Sequence, residues 1–188
     1  MLLGAHFNPA LTLAFAVSRK IPWIKVPVYC LGQYLGSFLA AAIIFLVYFE
    51  AIDAYDGGQR SAWGNSTSTG GIFATYPFND VSIYGVFIDQ TIGTFILSFG
   101  IYMITDEKSS KISFPTQALF ICLLITGLGI GFNLNCGASF NPARDLSPRV
   151  FTAIVGYGKF PFWYFNFELY SLFSYSYTAI NYRYNYYL

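Results

Sequence analysis

Two asparagines, Asn8 and Asn141, are each followed by Pro-Ala in near-identical frames, Gly4-Ala-His-Phe-Asn-Pro-Ala and Gly137-Ala-Ser-Phe-Asn-Pro-Ala. A carboxamide both accepts and donates hydrogen bonds. Its oxygen can cap a helix that opens on proline, whose fixed φ suits the first turn, while its NH2 group can donate to a solute oxygen. The chemistry on offer is exchange of hydrogen bonds. Bond-making chemistry has less to work with: His6 with Cys30, Cys122 or Cys136 supplies the residue types for a thiol nucleophile, but no local motif couples them. The cysteines also lack metal-ligand spacing. Neither enzymatic activity nor a metal or other cofactor is expected.

The elements that must position these asparagines belong to a membrane. Of 188 residues, 55% are apolar, 21% aromatic and only 10% charged, against roughly 25% charged in ordinary soluble domains. Three runs reach the ~20 helical residues that cross a bilayer core, giving expected spans over 22–49, 80–105 and 114–132. The net charge of +1 provides no basic stripe to neutralise phosphates, so nucleic acid is excluded as a partner. Arg19, Lys20 and Lys25 lie at the start of the first span and Lys108 and Lys111 between the second and third, which puts these segments inside. The Glu50 to Tyr76 loop, with Arg60 as its one basic residue, belongs outside. It contains the sequon Asn65-Ser66-Thr67, a glycosylation acceptor.

The segments after the two boxes are too short to span. A helix over 9–17 rises roughly 13 Å, about half the hydrocarbon thickness, and a second is expected over 142–153. Residues preceding a proline are driven towards extended backbone, so Gly4 to Asn8 and Asn133 to Phe140 are expected to be extended lead-ins. Such backbone persists at membrane depth only when buried in protein or lining a wet cavity. Three intervening spans invert the second box relative to the first, placing a site at the midplane. Both helix N-termini would then direct partial positive charge, of order half an elementary charge each, at the bilayer centre. Cations and protons meet a barrier there. Carbonyls of Gly4, Ala5, His6 and Phe7, and of Ala138, Ser139 and Phe140, can replace the hydrogen bonds that a neutral hydroxylated solute gives up on dehydration.

The paired Asn8-Pro9-Ala10 and Asn141-Pro142-Ala143 boxes, with Gly71-Ile-Phe-Ala-Thr-Tyr-Pro77, Asp89-Gln-Thr-Ile-Gly-Thr94 and Asn141-Pro-Ala-Arg-Asp-Leu-Ser-Pro-Arg149, resemble the aquaporin (major intrinsic protein) family, and within it the aquaglyceroporins. The resemblance implies an all-α membrane protein, an aquaporin-like bundle with two re-entrant half-helices, and passive passage of glycerol, water and other small neutral solutes, urea among them. It also implies a multi-pass plasma-membrane location and, for a complete chain, a homotetramer. Arg144 is similar to the family's filter arginine, and Gly129 and Ala138 to its other filter positions, where small residues widen the constriction. Asp145 resembles the mark that separates glycerol-passing from water-selective members. Asp89 is expected to hold backbone N–H groups of a re-entrant loop, and Gln33 to support it.

The resemblance covers 1–160, a channel domain in which the two spans expected before the first box are lacking. The remainder, 161–188, carries Asn166, Glu168 and a tyrosine-rich end in place of a regular last span. Without those spans the half-helices would face lipid along one side, which raises a second reading: a non-conducting subunit that assembles with intact channels. A water-selective pore is the third, opposed by Asp145 and Gly129. Gly32 and Gly36, with Gly127, Gly129 and Gly131, are expected to serve close helix packing.

Overall fold

Helix formation starts where Asn8 turns out of extended backbone (φ −152°, ψ 117°) and its side-chain oxygen accepts from the N–H groups of Ala10 and Leu11, opening α1 (Pro9–Val17). The computed structural model describes residues 4–78, 81–106 and 111–162. A turn of 3-10 helix, Trp23–Lys25, leads into α2 (Val26–Val47). After Tyr48 the chain re-enters helix as α3 (Phe49–Asp56), which stops on Gly57 in the left-handed conformation (φ 63°), the usual termination where a Cβ would clash. The expected outer loop therefore begins with two further helical turns. Ser82 caps α4 (Ile83–Thr105) by accepting from Gly85, and a proline in the first turn starts α5 (Phe114–Gly131).

The lead-in to the second box departs from expectation. Residues expected to be extended from Asn133 form a short helix, α6 (Asn133–Cys136), and extension is confined to the stretch after Gly137 (φ 76°). Proline restricts only the residue immediately before it, which leaves Asn133 to Cys136 free to continue the helical path from α5. Asn141 then repeats the Asn8 cap, accepting from Ala143 and Arg144, and opens α7 (Pro142–Thr152). A π-type turn at Ala153–Tyr157 ends it, with Gly156 at φ 110°.

The segments Trp23–Val47, Tyr84–Thr105 and Phe114–Gly131 are long and apolar enough to cross a membrane. The half-helices lie among them in two cores. Ala10, Leu11, Ala14 and Phe15 of α1 pack with Leu97, Ile101 and Tyr102 of α4, Leu128 of α5 and Phe140. Phe151 of α7 packs with Ala41 of α2, Ile52 of α3, Ala62, Phe73 and Tyr157. Ser18 at the end of α1 bonds the Tyr102 hydroxyl at 2.7 Å, fixing the half-helix to α4.

Glycine use differs from expectation as well. A Cβ added at Gly32, Gly36, Gly127, Gly129 or Gly131 would meet nothing within 4 Å, whereas one at Gly93 would lie 2.2 Å from the Phe140 ring and one at Gly100 2.5 Å from Leu124. Among the helix glycines, the close approaches belong to α4. The character expected of 161–188 lies outside the described residues except at its start, where the Pro161 carbonyl accepts from Arg149 Nη1 at 2.5 Å.

Candidate functional site

The two capping asparagines serve each other's loops. Asn8 Nδ2 donates to the Phe140 carbonyl and Asn141 Nδ2 to the Phe7 carbonyl, each at 2.8 Å. The half-helix tips therefore meet head to head, as the inverted arrangement requires. One amide hydrogen of each asparagine, expected to be free for solute, is committed to this exchange. Each carboxamide has a second hydrogen and each carbonyl a second lone pair.

Backbone strain marks the same positions in both boxes. Phe7 (φ 54°) and Phe140 (φ 37°) are left-handed, which for a bulky residue costs of order 1–3 kcal/mol and persists only where surroundings over-determine it. Here the opposing asparagine holds each carbonyl. Gly4 (φ 50°) and Gly137 (φ 76°) occupy matched places too, and a Cβ on Gly137 would press on Thr75 at 2.9 Å. The matched rings part company: Phe140 is buried against Gly93 while Phe7 is 78% exposed.

Thr12, 0% exposed, ties the first loop to α1 and α2. Its hydroxyl donates to the Asn8 carbonyl at 3.0 Å and accepts from Gln33 Nε2 at 3.0 Å. The same hydroxyl lies 3.0 Å from His6 Nδ1, with the ring tautomer deciding which atom donates. The ring stacks on Tyr29, centroids 4.7 Å apart, and meets Phe15 edge-on. Gln33 thus links α2 to α1. Its buried Oε1 has no partner among the described residues.

Among the described residues, Asp89 accepts from no backbone N–H. Its carboxylate accepts from Asn135 Nδ2 at 2.9 Å and from the Cys136 thiol at 3.4 Å, both side chains of α6. The backbone work falls to Gln90, whose Oε1 accepts from Phe140 N at 3.3 Å and whose Nε2 donates to the Gly137 carbonyl at 2.9 Å. Successive residues on a helix point about 100° apart, so assigning the role one position early selects the wrong face.

Asp145 is 2% exposed and faces away from the cavity described below. Its Oδ1 accepts from Thr75 N and Thr75 Oγ1, each at 2.7 Å, and its Oδ2 from Arg149 Nε at 2.5 Å. Arg149 also donates to the Thr75 carbonyl and stacks over the Tyr76 ring. This clamp fixes the segment from which the Phe73 carbonyl accepts Arg144 Nη1 at 3.4 Å. Asp145 thus bears on Arg144 through the loop as well as directly, its Oδ1 lying 4.0 Å from Arg144 Nη1. Thr12, Gln90, Thr75 and Arg149 are all site-forming residues that sequence reasoning passed over. Only Arg149 gave a signal, its four-residue spacing from Asp145.

These parts enclose one side of a cavity of about 620 Å³ whose walls include Ala5, His6, Phe7, Gln33, Asn141, Ala143 and Arg144, with Gly32 and Gly36 of α2 opposite. The Arg144 side chain is 42% exposed there. Pro9, Ala10 and Pro142 lie buried beneath the tips. Gly129 and Ala138 are not among the walls: Gly129 sits on α5, and Ala138 packs partly against the Leu128–Phe140 core. Ser139 N donates to the Gly137 carbonyl at 3.0 Å, closing the turn.

Fold and site together define an all-α membrane protein organised around two re-entrant half-helices joined at their capped tips. The chain belongs to the major intrinsic protein family, a family of channels, whose model matches residues 2–170 and so runs past Phe160. It is 44% identical over 167 residues to aquaglyceroporin-2 of Rhizophagus irregularis, covering 85% of this chain and 52% of that protein. It is 39% identical over 155 residues to human aquaporin-10 (82% and 51%) and 42% identical over 156 residues to rat aquaporin-7 (83% and 58%). The chain spans about half the length of these curated relatives. The solved aquaglyceroporin from Plasmodium falciparum matches 97% of this chain and 73% of its own with a TM-score of 0.82 at 27% identity.

Proposed function

We propose that the channel to which this chain contributes passes glycerol, water and other small neutral solutes, urea among them, across the lipid bilayer. The carrying observation is that two helix N-termini and the Arg144 guanidinium converge on one cavity. Their summed positive potential opposes cations. A neutral polyol loses nothing to it and finds donors in Asn141 and Arg144, and acceptors in the loop carbonyls and Gln33 Oε1. Relatives named aquaglyceroporin support glycerol over water alone. On this reading Asn8-Pro9-Ala10 and Asn141-Pro142-Ala143 form the constriction, Arg144 filters, and Gly4 to Phe7 with Ser139 and Phe140 supply carbonyls. Gly129 and Ala138 act by leaving space, Asp145 and Asp89 by holding the framework. The apolar outer faces of α2 and α5 suit a plasma-membrane homotetramer.

Light-scattering of liposomes containing the 188-residue chain tests the proposal. Glycerol and water permeability above that of empty liposomes, with proton or cation leak appearing only in Arg144→Ala, is the expected outcome. Permeability equal to empty liposomes refutes it for this chain.

A further inference from the structure

We propose that the connection between α1 and α2 docks the headgroup of an anionic phospholipid of the inner leaflet. The half-helix α1 closes in a turn that glycine usually completes. Lys20 N donates to the Phe15 carbonyl at 2.8 Å, Arg19 N donates to the Ala16 carbonyl at 3.0 Å, and the residue held in the left-handed conformation is Arg19 (φ 60°). An arginine is strained there, and strain kept at one position points to a task for its side chain. Capping the helix is not that task. The backbone N–H groups of Ser18, Arg19 and Lys20 already satisfy the carbonyls of Ala14, Ala16 and Phe15. The Arg19 side chain is exposed and makes no ion pair among the described residues.

Two further cations and an apolar step complete the surface. Lys20 is exposed, and its ammonium lies over the Tyr102 ring, 4.6 Å from the centroid, which steadies the side chain without cancelling its charge. Lys25 is exposed and forms no ion pair among the described residues. Between them Trp23 and Ile24 are 58% and 82% exposed. Trp23 begins the membrane-length segment Trp23–Val47, so both side chains stand where headgroups meet acyl chains, the level that tryptophan favours. The 3-10 turn Trp23–Lys25 opens after Pro22 with no side-chain cap, which leaves backbone N–H groups to donate there.

Charge complementarity selects the occupant. No Asp or Glu occurs before Glu50, which lies beyond the far end of α2, a helix of 22 residues and so roughly 33 Å long. Asp106, which closes α4 on the same side, is buried. Cations beside an apolar step fit a ligand that joins a phosphate to acyl chains. A soluble anion would gain nothing from Trp23 and Ile24, and a zwitterionic headgroup brings no net charge. The proposal requires only that α2 cross the bilayer, and solute passage does not enter it.

The test is fluorescence quenching of the 188-residue chain in phosphatidylcholine liposomes, into which brominated phosphatidylserine or brominated phosphatidylcholine is titrated. The signal missing from Trp23→Phe is that of Trp23 alone. Brominated phosphatidylserine should be preferred beside Trp23 by roughly tenfold or more, because each cation near an anionic surface strengthens association about fivefold. Arg19→Gln and Lys25→Gln should each lower the preference about fivefold, and Arg19→Lys should keep it. Arg19→Gly should lose it to the same extent without loss of thermal stability in detergent, since glycine relieves the left-handed turn. Equal quenching by the two lipids overturns the proposal, as does a preference that survives Arg19→Gln combined with Lys25→Gln. Displacement of brominated phosphatidylserine by inorganic phosphate also overturns it, because the site would then belong to a soluble anion.

Discussion

Replacing Thr75 by valine removes a single hydroxyl and keeps the side-chain shape, so it isolates one strand of the clamp between the outer loop and α7. In the structure the Thr75 hydroxyl and N–H both reach Asp145 Oδ1 at 2.7 Å, and the carboxylate is held from its other side by Arg149 at 2.5 Å. A hydrogen bond to a charged acceptor contributes about 1.5–3 kcal/mol. Valine leaves the N–H bond and the ion pair, so the whole cost should fall on local opening of the loop. At 1.36 kcal/mol per decade this is roughly a 10- to 150-fold larger open population. Amide hydrogen exchange of the protein in lipid nanodiscs reads that population directly at Thr75 and its neighbours. Exchange there should accelerate by that factor while α4 and α5 keep their protection. An acceleration below about threefold, or one spread evenly over all helices, refutes the assignment of Asp145 as a loop anchor.

Three further substitutions examine the remaining joints. Gly93→Ala drives a methyl into the Phe140 ring, 2.2 Å away, and should lower stability by about 1–3 kcal/mol, seen as a reduced midpoint of thermal unfolding in detergent. Thr12→Val leaves Gln33, His6 and the Asn8 carbonyl without their shared hydroxyl and should cost about 1–3 kcal/mol for each group stranded; chemical denaturation reports it, and an unchanged midpoint removes Thr12 from the framework. Asn8→Asp places an acceptor opposite the Phe140 carbonyl, where a 2.8 Å donor now stands. It should abolish glycerol permeability of liposomes, and full retention of flux contradicts the pairing of the tips.

What was legible in the chain was whatever is encoded within a few residues. The half-helix starts could be read because an N-cap asparagine and an N1 proline act locally, and their repetition at Asn8 and Asn141 announced the inverted pair. Contacts spanning the fold were read less well. Asp89 and Gln90 adjoin on a helix with long apolar stretches on every face, so no periodicity says which of them looks at the loop; the structure gives the Phe140 N–H to Gln90. Thr75 sits in a connecting segment 70 residues from Asp145, and nothing near it hints at an acid. The glycines misled for a related reason: Gly-xxx-Gly spacing suggests a packed interface, yet Gly32 and Gly36 line the cavity while the tight approaches occur at Gly93 and Gly100. Helix α6 was hidden because Asn133 and Asn135 are weak helix formers; its side chains are fastened to Asp89 instead.

The exchange of carboxamides across the tips sets a condition on biosynthesis. The Asn8 amide and the Phe140 carbonyl that receives it are separated by 132 positions, so the first re-entrant loop leaves the ribosome long before its counterpart exists. Until Phe140 and Asn141 arrive, the strained turn at Phe7 has nothing to lock it. Maturation must therefore include a late latching of the first box onto the second, and a chain stalled before residue 140 would keep the Asn8 box unclasped.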